Sequence, residues 1–180
     1  IDDAVGEAFD KVAKILGLNY PGGAELERRS LKGNEDKFAL PQPLINENNL
    51  NFSFSGLKTA INIIAKKNHI NEEFVNDMSA SFQKCISAIL EKKLEKAIKL
   101  LNTSDKKFFE LSIVGGVANN KYIRTKLTRV CKRKNMNLVL PINSWRTKDP
   151  NKNVAGNGIE YLKKNGCNVK YNVLKDECNF

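Results

Sequence analysis

Histidine is nearly missing from this chain: His69 is the single one in 180 residues. The four cysteines (Cys85, Cys131, Cys167, Cys178) are scattered and none forms a C-x-x-C pair, so a zinc site of the usual spacing has no ligand set to draw on. A metallopeptidase reading fails on the same ground, since it needs ligands and a general base. The thiols read as reduced, and His69, in the loop-like KKNHI, reads as solvated. No apolar run approaches the roughly eighteen residues that a membrane span needs, and the opening IDDAVGEAF is acidic where a signal peptide would be basic. A cytoplasmic protein with no membrane partner is expected. Two nucleotide signatures are also wanting: no Gly-Lys-Ser/Thr completes a P-loop, and no third glycine completes a dinucleotide fingerprint. Internal repeats and low-complexity linkers are absent.

With 41% hydrophobic residues, the length suffices for a real core in one domain, or a domain plus an appendage. The formal net charge of +10 attracts polyphosphates and makes RNA a natural partner. The lysines are spread over several segments, densest at Lys66-Lys67, at Lys92-Lys93, and from Lys126 through Arg129 to Lys132-Arg133-Lys134. Aromatic residues do not interleave with them as they would to stack single-stranded bases.

The stretch LSIVGGVANNKYIR, residues 111–124, organises the rest. Leu111, Ile113 and Val114 precede Gly115-Gly116, and an Asn pair leads into a helical run from Lys121 to Arg133. This predicts strand, tight turn, helix. Glycines let a ligand approach the backbone, Asn119 or Asn120 can cap the helix and offer an amide to a sugar or phosphate oxygen, and the first N–H groups of the helix face the same space. A nucleotide corner and a plain turn whose glycines save space both fit these residues.

Along the chain, Val5, Ala8, Phe9, Val12, Ile15 and Leu16 predict a helix capped by Asp2 or Asp3 and ending at Gly17. NYPGG follows as a turn, and a shorter helix runs from about Ala24 to Leu31. Residues 34–50 read as an extended surface connection, ordered or mobile. Residues 51–56 alternate as a half-buried strand does, with Ser55-Gly56 as the corner before a helix. Residues 71–101 predict a long core helix, broken at most once. Leu138-Val139-Leu140-Pro141 reads as a short strand, and Asp149 with Pro150 as the cap and first residue of another helix.

Together, DDAVGEAFDKVAKILGLNYPGG, NFSFSGLKTA, DMSASFQ, GGVANNKYIR and GNGIEYL, in this order over residues 2–164, resemble the TsaD/Gcp family of threonylcarbamoyl-adenosine synthases, formerly labelled glycoproteases. The resemblance implies an α/β fold: one lobe of an actin-like (ASKHA) ATPase, a mixed sheet flanked by helices, over residues 1–164, with 165–180 as a tail. It implies transfer of a threonylcarbamoyl group from threonylcarbamoyl-AMP to the N6 amine of the adenosine beside the anticodon of tRNA. By the same likeness, Asp10, Gly23, Glu27, Gly115, Gly116 and Asn120 contact the adenine nucleotide, and Asp149 is ligand to a divalent metal, iron or zinc. Around Asp149 the chain reads Thr147-Lys148-Asp149-Pro150 where the family has Cys-Thr-Asp-Asn. The family's first half, with its H-x-x-x-H pair and Ser-Gly-Gly phosphate loop, has no counterpart here, so a fragment is expected, inactive without an amino-terminal half. A TsaB-like paralogue and an associated ATPase are implied partners. The competing expectation is a non-catalytic lobe that binds nucleotide or a partner. Asp10→Ala and Asn120→Ala are expected to weaken nucleotide binding while leaving folding nearly intact.

Overall fold

One helix carries the architecture. The structure, a computed structural model, describes residues 2–101 and 110–139. In order these form α1 (Val5–Ile15), α2 (Gly22–Ser30), α3 (Ser55–Lys66), α4 (Glu72–Leu101), β1 (Glu110–Ser112), a 3-10 turn (Gly116–Asn119), α5 (Lys121–Arg133) and β2 (Asn137–Val139). α4 runs unbroken because it contains neither glycine nor proline, and its start is fixed by Asn71, whose Oδ1 accepts the Phe74 N–H at 2.8 Å. Its first half is buried on nearly every side: Phe74, Met78, Phe82, Ile86 and Ile89 are enclosed, and so are Asn76, Asp77, Ser79, Ser81 and Gln83. Each fully enclosed apolar side chain contributes roughly 1.5–3 kcal/mol.

α1 and α2 pack on this helix, with Phe9 edge-on to Phe82 at 4.9 Å between ring centres. α1 ends as its sequence predicts. Gly17 takes φ +69°, and the Leu18 and Gly17 N–H groups return to the Ala13 and Lys14 carbonyls, a Schellman closure. Its start differs from expectation: Ala4 is the capping residue and no side chain caps it. Asp2 instead binds across the chain, accepting the Phe54 N–H at 2.8 Å and the Ser53 and Ser55 hydroxyls at 2.6 and 2.7 Å. Those three bonds hold its carboxyl well below the usual range.

The same bonds correct the reading of residues 51–54 as a strand. The stretch has no ladder partner among the described residues; Asp2 serves the Phe54 amide, and Ser55-Gly56 already belong to α3. The alternation of Phe52 and Phe54 reflects one ring half-buried and one buried beside α3, with no ladder behind it.

Residues 34–50 contain no regular element, yet they are tied down along α4. Asp77 accepts the Asn34 N–H at 2.7 Å, Ser81 Oγ accepts the Phe38 N–H at 3.2 Å, and the Cys85 thiol donates to the Pro41 carbonyl at 3.3 Å. Lys93 Nζ donates to the Asn49 carbonyl at 2.9 Å, and Lys96 donates to that of Glu47. Gly33 makes the first approach possible: a Cβ there would lie 2.0 Å from the Asn76 carbonyl oxygen. The segment is a strap seated on the polar face of α4, anchored where the sequence left its order open.

β1 and β2 pair in parallel, Glu110 with Asn137 and Ser112 with Val139, joined through α5 as a β-α-β unit. A second core of Ile98, Val130, Cys131 and Met136, with Leu111 and Leu138 against it, fastens this unit to the far end of α4. The described sheet is therefore small and purely parallel, within a fold dominated by helices. No helix among the described residues is long and apolar enough to cross a membrane. Asp149 and residues 165–180 lie outside the described residues.

Candidate nucleotide site

Gly115 takes φ 93° and ψ 173°, a backbone region that residues with a Cβ avoid, and this turns the chain from β1 into the 3-10 turn. A Cβ at Gly115 or Gly116 would meet nothing within 4 Å. The bare floor predicted for this corner is present. Next to it Asn120, not Asn119, caps α5: its Oδ1 accepts the Ile123 N–H at 2.9 Å.

Asn120 is 6% exposed, and its amide has a second attachment. Nδ2 donates to Gln83 Oε1 at 2.7 Å, Gln83 Nε2 donates to Ser30 Oγ at 2.9 Å, and Ser30 Oγ donates to the Glu27 carbonyl at 2.7 Å. Glu27 completes the seam, its Oε1 accepting the Lys121 N–H at 2.7 Å. The free helix donors expected to face a ligand are thus partly engaged: Glu27 holds that of Lys121 and Asn120 that of Ile123. A carboxylate at this end also suits the helix dipole. One hydrogen of Nδ2 remains beyond the bond to Gln83. The expectation that Asn120→Ala leaves folding intact is corrected by this burial and these bonds.

Asp10 and Gly22 meet at the start of α2, one residue before Gly23. Asp10 Oδ1 accepts the Gly22 N–H at 2.8 Å, which satisfies a donor at the helix start and lets α2 begin two residues before the predicted Ala24. Gly22 lies hard against α1, where a Cβ would be 2.2 Å from that of Ala13, whereas Gly23 faces open space.

Two cavities flank these residues. One of about 260 Å³ is lined by Asp10 with Glu7, Lys11, Lys14, Asn19 and Tyr20 among others. The larger, about 520 Å³, lies between α2 and α5, and of the predicted contacts only Glu27 lines it. The structure therefore joins Glu27 to Asn120 through the seam and Asp10 to the Gly22-Gly23 turn, and it puts Gly115-Gly116 one short turn before Asn120. Sequence reasoning missed Gln83 and Ser30. The signal was available: DMSASFQ places an amide beside Phe82 in a helix stretch otherwise suited to a core.

Among the described residues no cluster of three or more His, Cys, Asp or Glu is arranged to hold a metal ion. Cys85 and Cys131 are buried free thiols, and burial pushes Cys85 up to about 11, away from metal-binding thiolate character.

Comparison with known proteins adds to this geometry. Residues 1–150 match the family model described as TsaD, tRNA N6-adenosine threonylcarbamoyltransferase. A protein of that name from Rickettsia canadensis is 49% identical over 146 residues, covering 78% of this chain and 42% of the relative. Another, from Wolbachia pipientis wMel, is 44% identical over 165 residues, covering 92% of this chain and 48% of the relative. The chain spans somewhat under half the length of these curated relatives.

Proposed function

This chain belongs to the TsaD family of tRNA N6-adenosine threonylcarbamoyltransferases, and from that premise we propose that it supplies the adenylate-binding part of such an enzyme. The observation that carries the reading is the coincidence of family motifs with open glycine faces: Gly23, Gly115 and Gly116 each leave room where a side chain would stand. In this reading the chain is one lobe of an actin-like ATPase fold, and the parallel β1–α5–β2 unit with its covering helices supports it.

The ligand is threonylcarbamoyl-AMP. Asp10, already oriented by the Gly22 amide, accepts from ribose hydroxyls with its other oxygen. Gly23, Gly115 and Gly116 admit the nucleotide against the backbone. Asn120 and Glu27 border it, held rigid through Gln83, Ser30 and the Lys121 amide. In the transfer, the tRNA adenosine N6 attacks the carbamoyl carbon, the bond from that carbon to the phosphate oxygen breaks, AMP departs, and the amine loses one proton to solvent. This chain's part is binding and orientation; no base is assigned from it. Asp149 is the chain's proposed ligand to a divalent metal, iron or zinc, and among the described residues no cluster of three or more His, Cys, Asp or Glu stands ready to join it.

The relatives' greater length supports an amino-terminal portion as the completing half, with a TsaB-like paralogue and an associated ATPase as further partners. The test is threonylcarbamoyl transfer to tRNA with the acyl-adenylate supplied, by this chain alone and with the family's amino-terminal portion added. Activity only on mixing supports the reading. Inactivity in both, with each piece folded, leaves a non-catalytic binding lobe.

A further inference from the structure

The groove between α2 and α5 is nearly separate from the adenylate corner, and it carries a one-sided charge. α5 holds Lys121, Arg124, Lys126, Arg129, Lys132 and Arg133 and no acidic residue. Lys121, Thr125, Arg129 and Lys132 are all exposed and recur at four-, four- and three-residue steps, so they form one outward stripe. At 1.5 Å per residue the cations Lys121 and Arg129 stand about 12 Å apart along the axis and Arg129 and Lys132 about 4.5 Å, a row along which an extended polyanion can lie.

Of the acids nearby, Glu91 acts on Tyr122 from a distance, and three others are already committed. Glu27 accepts the Lys121 amide, Glu25 holds Arg28 through two bonds and also pairs with Arg29, and Glu35 accepts the Tyr122 hydroxyl at 2.7 Å. Lys126 lies over the Tyr122 ring at 5.0 Å. Among the described residues no carboxylate pairs with Lys121, Lys126 or Arg129. The other dense lysine groups differ: Lys93 is buried against the Asn49 carbonyl, and Lys66-Lys67 stand exposed at the end of α3 away from any cavity described here.

We propose that this groove and the outer stripe of α5 are the track on which the phosphodiester backbone of the RNA substrate lies. The proposal rests on the transferase reading for the presence of RNA; its location comes from the charges. The walls favour a polyanion over an acidic protein, because Leu31 is the one large apolar side chain free in the groove, and Tyr122 is covered by Lys126 and tied to Glu35. A protein interface would want buried aromatic or aliphatic anchors at its centre. The contacts position a strand without reading its sequence.

The experiment is equilibrium binding of an unmodified tRNA transcript to the 180-residue chain across a salt series. In the triple variant Lys121→Gln/Lys126→Gln/Arg129→Gln, the slope of log affinity against log salt falls by about 2–3, and affinity at moderate salt drops roughly tenfold or more. Arg129→Gln alone, an exposed change that leaves the melting temperature unaltered, lowers the slope by about 1. The matched triple Lys58→Gln/Lys66→Gln/Lys67→Gln on α3 leaves both unchanged. An unaltered slope in the α5 variants, an equal loss in the α3 triple, or tighter binding of polyglutamate than of tRNA would overturn the proposal. Because the readout is binding, failure of transfer in the reconstitution assay leaves it standing. Conversely, full transfer with unchanged tRNA dependence in the α5 triple removes it alone.

Discussion

The first turn of α2 and the corner after β1 are both built on glycine pairs, and the pairs serve different ends. Gly22 is a packing glycine, with α1 pressed against the place a side chain would occupy, while its neighbour Gly23 looks into open space. At the corner both Gly115 and Gly116 are open, and Gly115 also needs the positive φ. A glycine motif thus conceals at least two demands, close approach between helices and room for a ligand. Only the packing around each residue separates them.

The largest effect should come from the seam that joins these regions. Asn120→Ala removes the α5 cap and leaves the buried Gln83 Oε1 without its donor, for an expected loss of about 2–4 kcal/mol in urea unfolding. A loss below about 1 kcal/mol would mean that the seam is not holding α2, α4 and α5 together. Gly22→Ala follows, at about 1–3 kcal/mol, since Ala13 belongs to a helix backbone that must move. Gly23→Ala is the contrasting case: in an open first-turn position it should leave stability unchanged or raise it by about 0.4–1 kcal/mol, while weakening adenylate binding. If both glycine variants lost stability equally, the contrast between them would be wrong.

Smaller effects sharpen the edges. Asp2→Asn should lower the melting temperature at pH 7 through its bonds to residues 53–55. The Asp2 carboxyl is held below its unfolded value, so its contribution is present above that value, about pH 4, and is lost as the pH falls further. Wild type and variant should therefore converge on acidification, and a gap that persists in strong acid would contradict the clamp. Cys85, pushed up to about 11 by burial, should resist alkylation at pH 8 in the folded chain and react once urea unfolds it.

Much of this was legible in the sequence, for reasons that differ by element. α5 and its Asn cap follow from a polar residue before an amphipathic run, and α4 from a long periodic stretch free of glycine and proline. The tight turn after β1 was legible because Gly-Gly follows β-favouring residues, whereas the open space beside it was one of two readings those residues allowed. Residues 51–54 misled because an alternating stretch can bury its rings without a ladder, and the partner of its amide, Asp2, lies some fifty residues away. The strap at residues 34–50 misled because its prolines and asparagines suggest solvent, whereas its anchors are polar side chains inside α4. For Gln83 the sequence showed an amide out of place in a core helix, but its partners exist only once α2 and α5 stand on either side of it.

The most direct test of the central claim is titration of threonylcarbamoyl-AMP into this chain combined with the family's amino-terminal portion, wild type beside Gly23→Ala. The account predicts that the variant keeps the wild-type melting temperature or exceeds it and binds the adenylate at least about tenfold more weakly, a difference of about 1.4 kcal/mol. Equal affinity in a folded variant would contradict it and move the nucleotide away from the open face of α2.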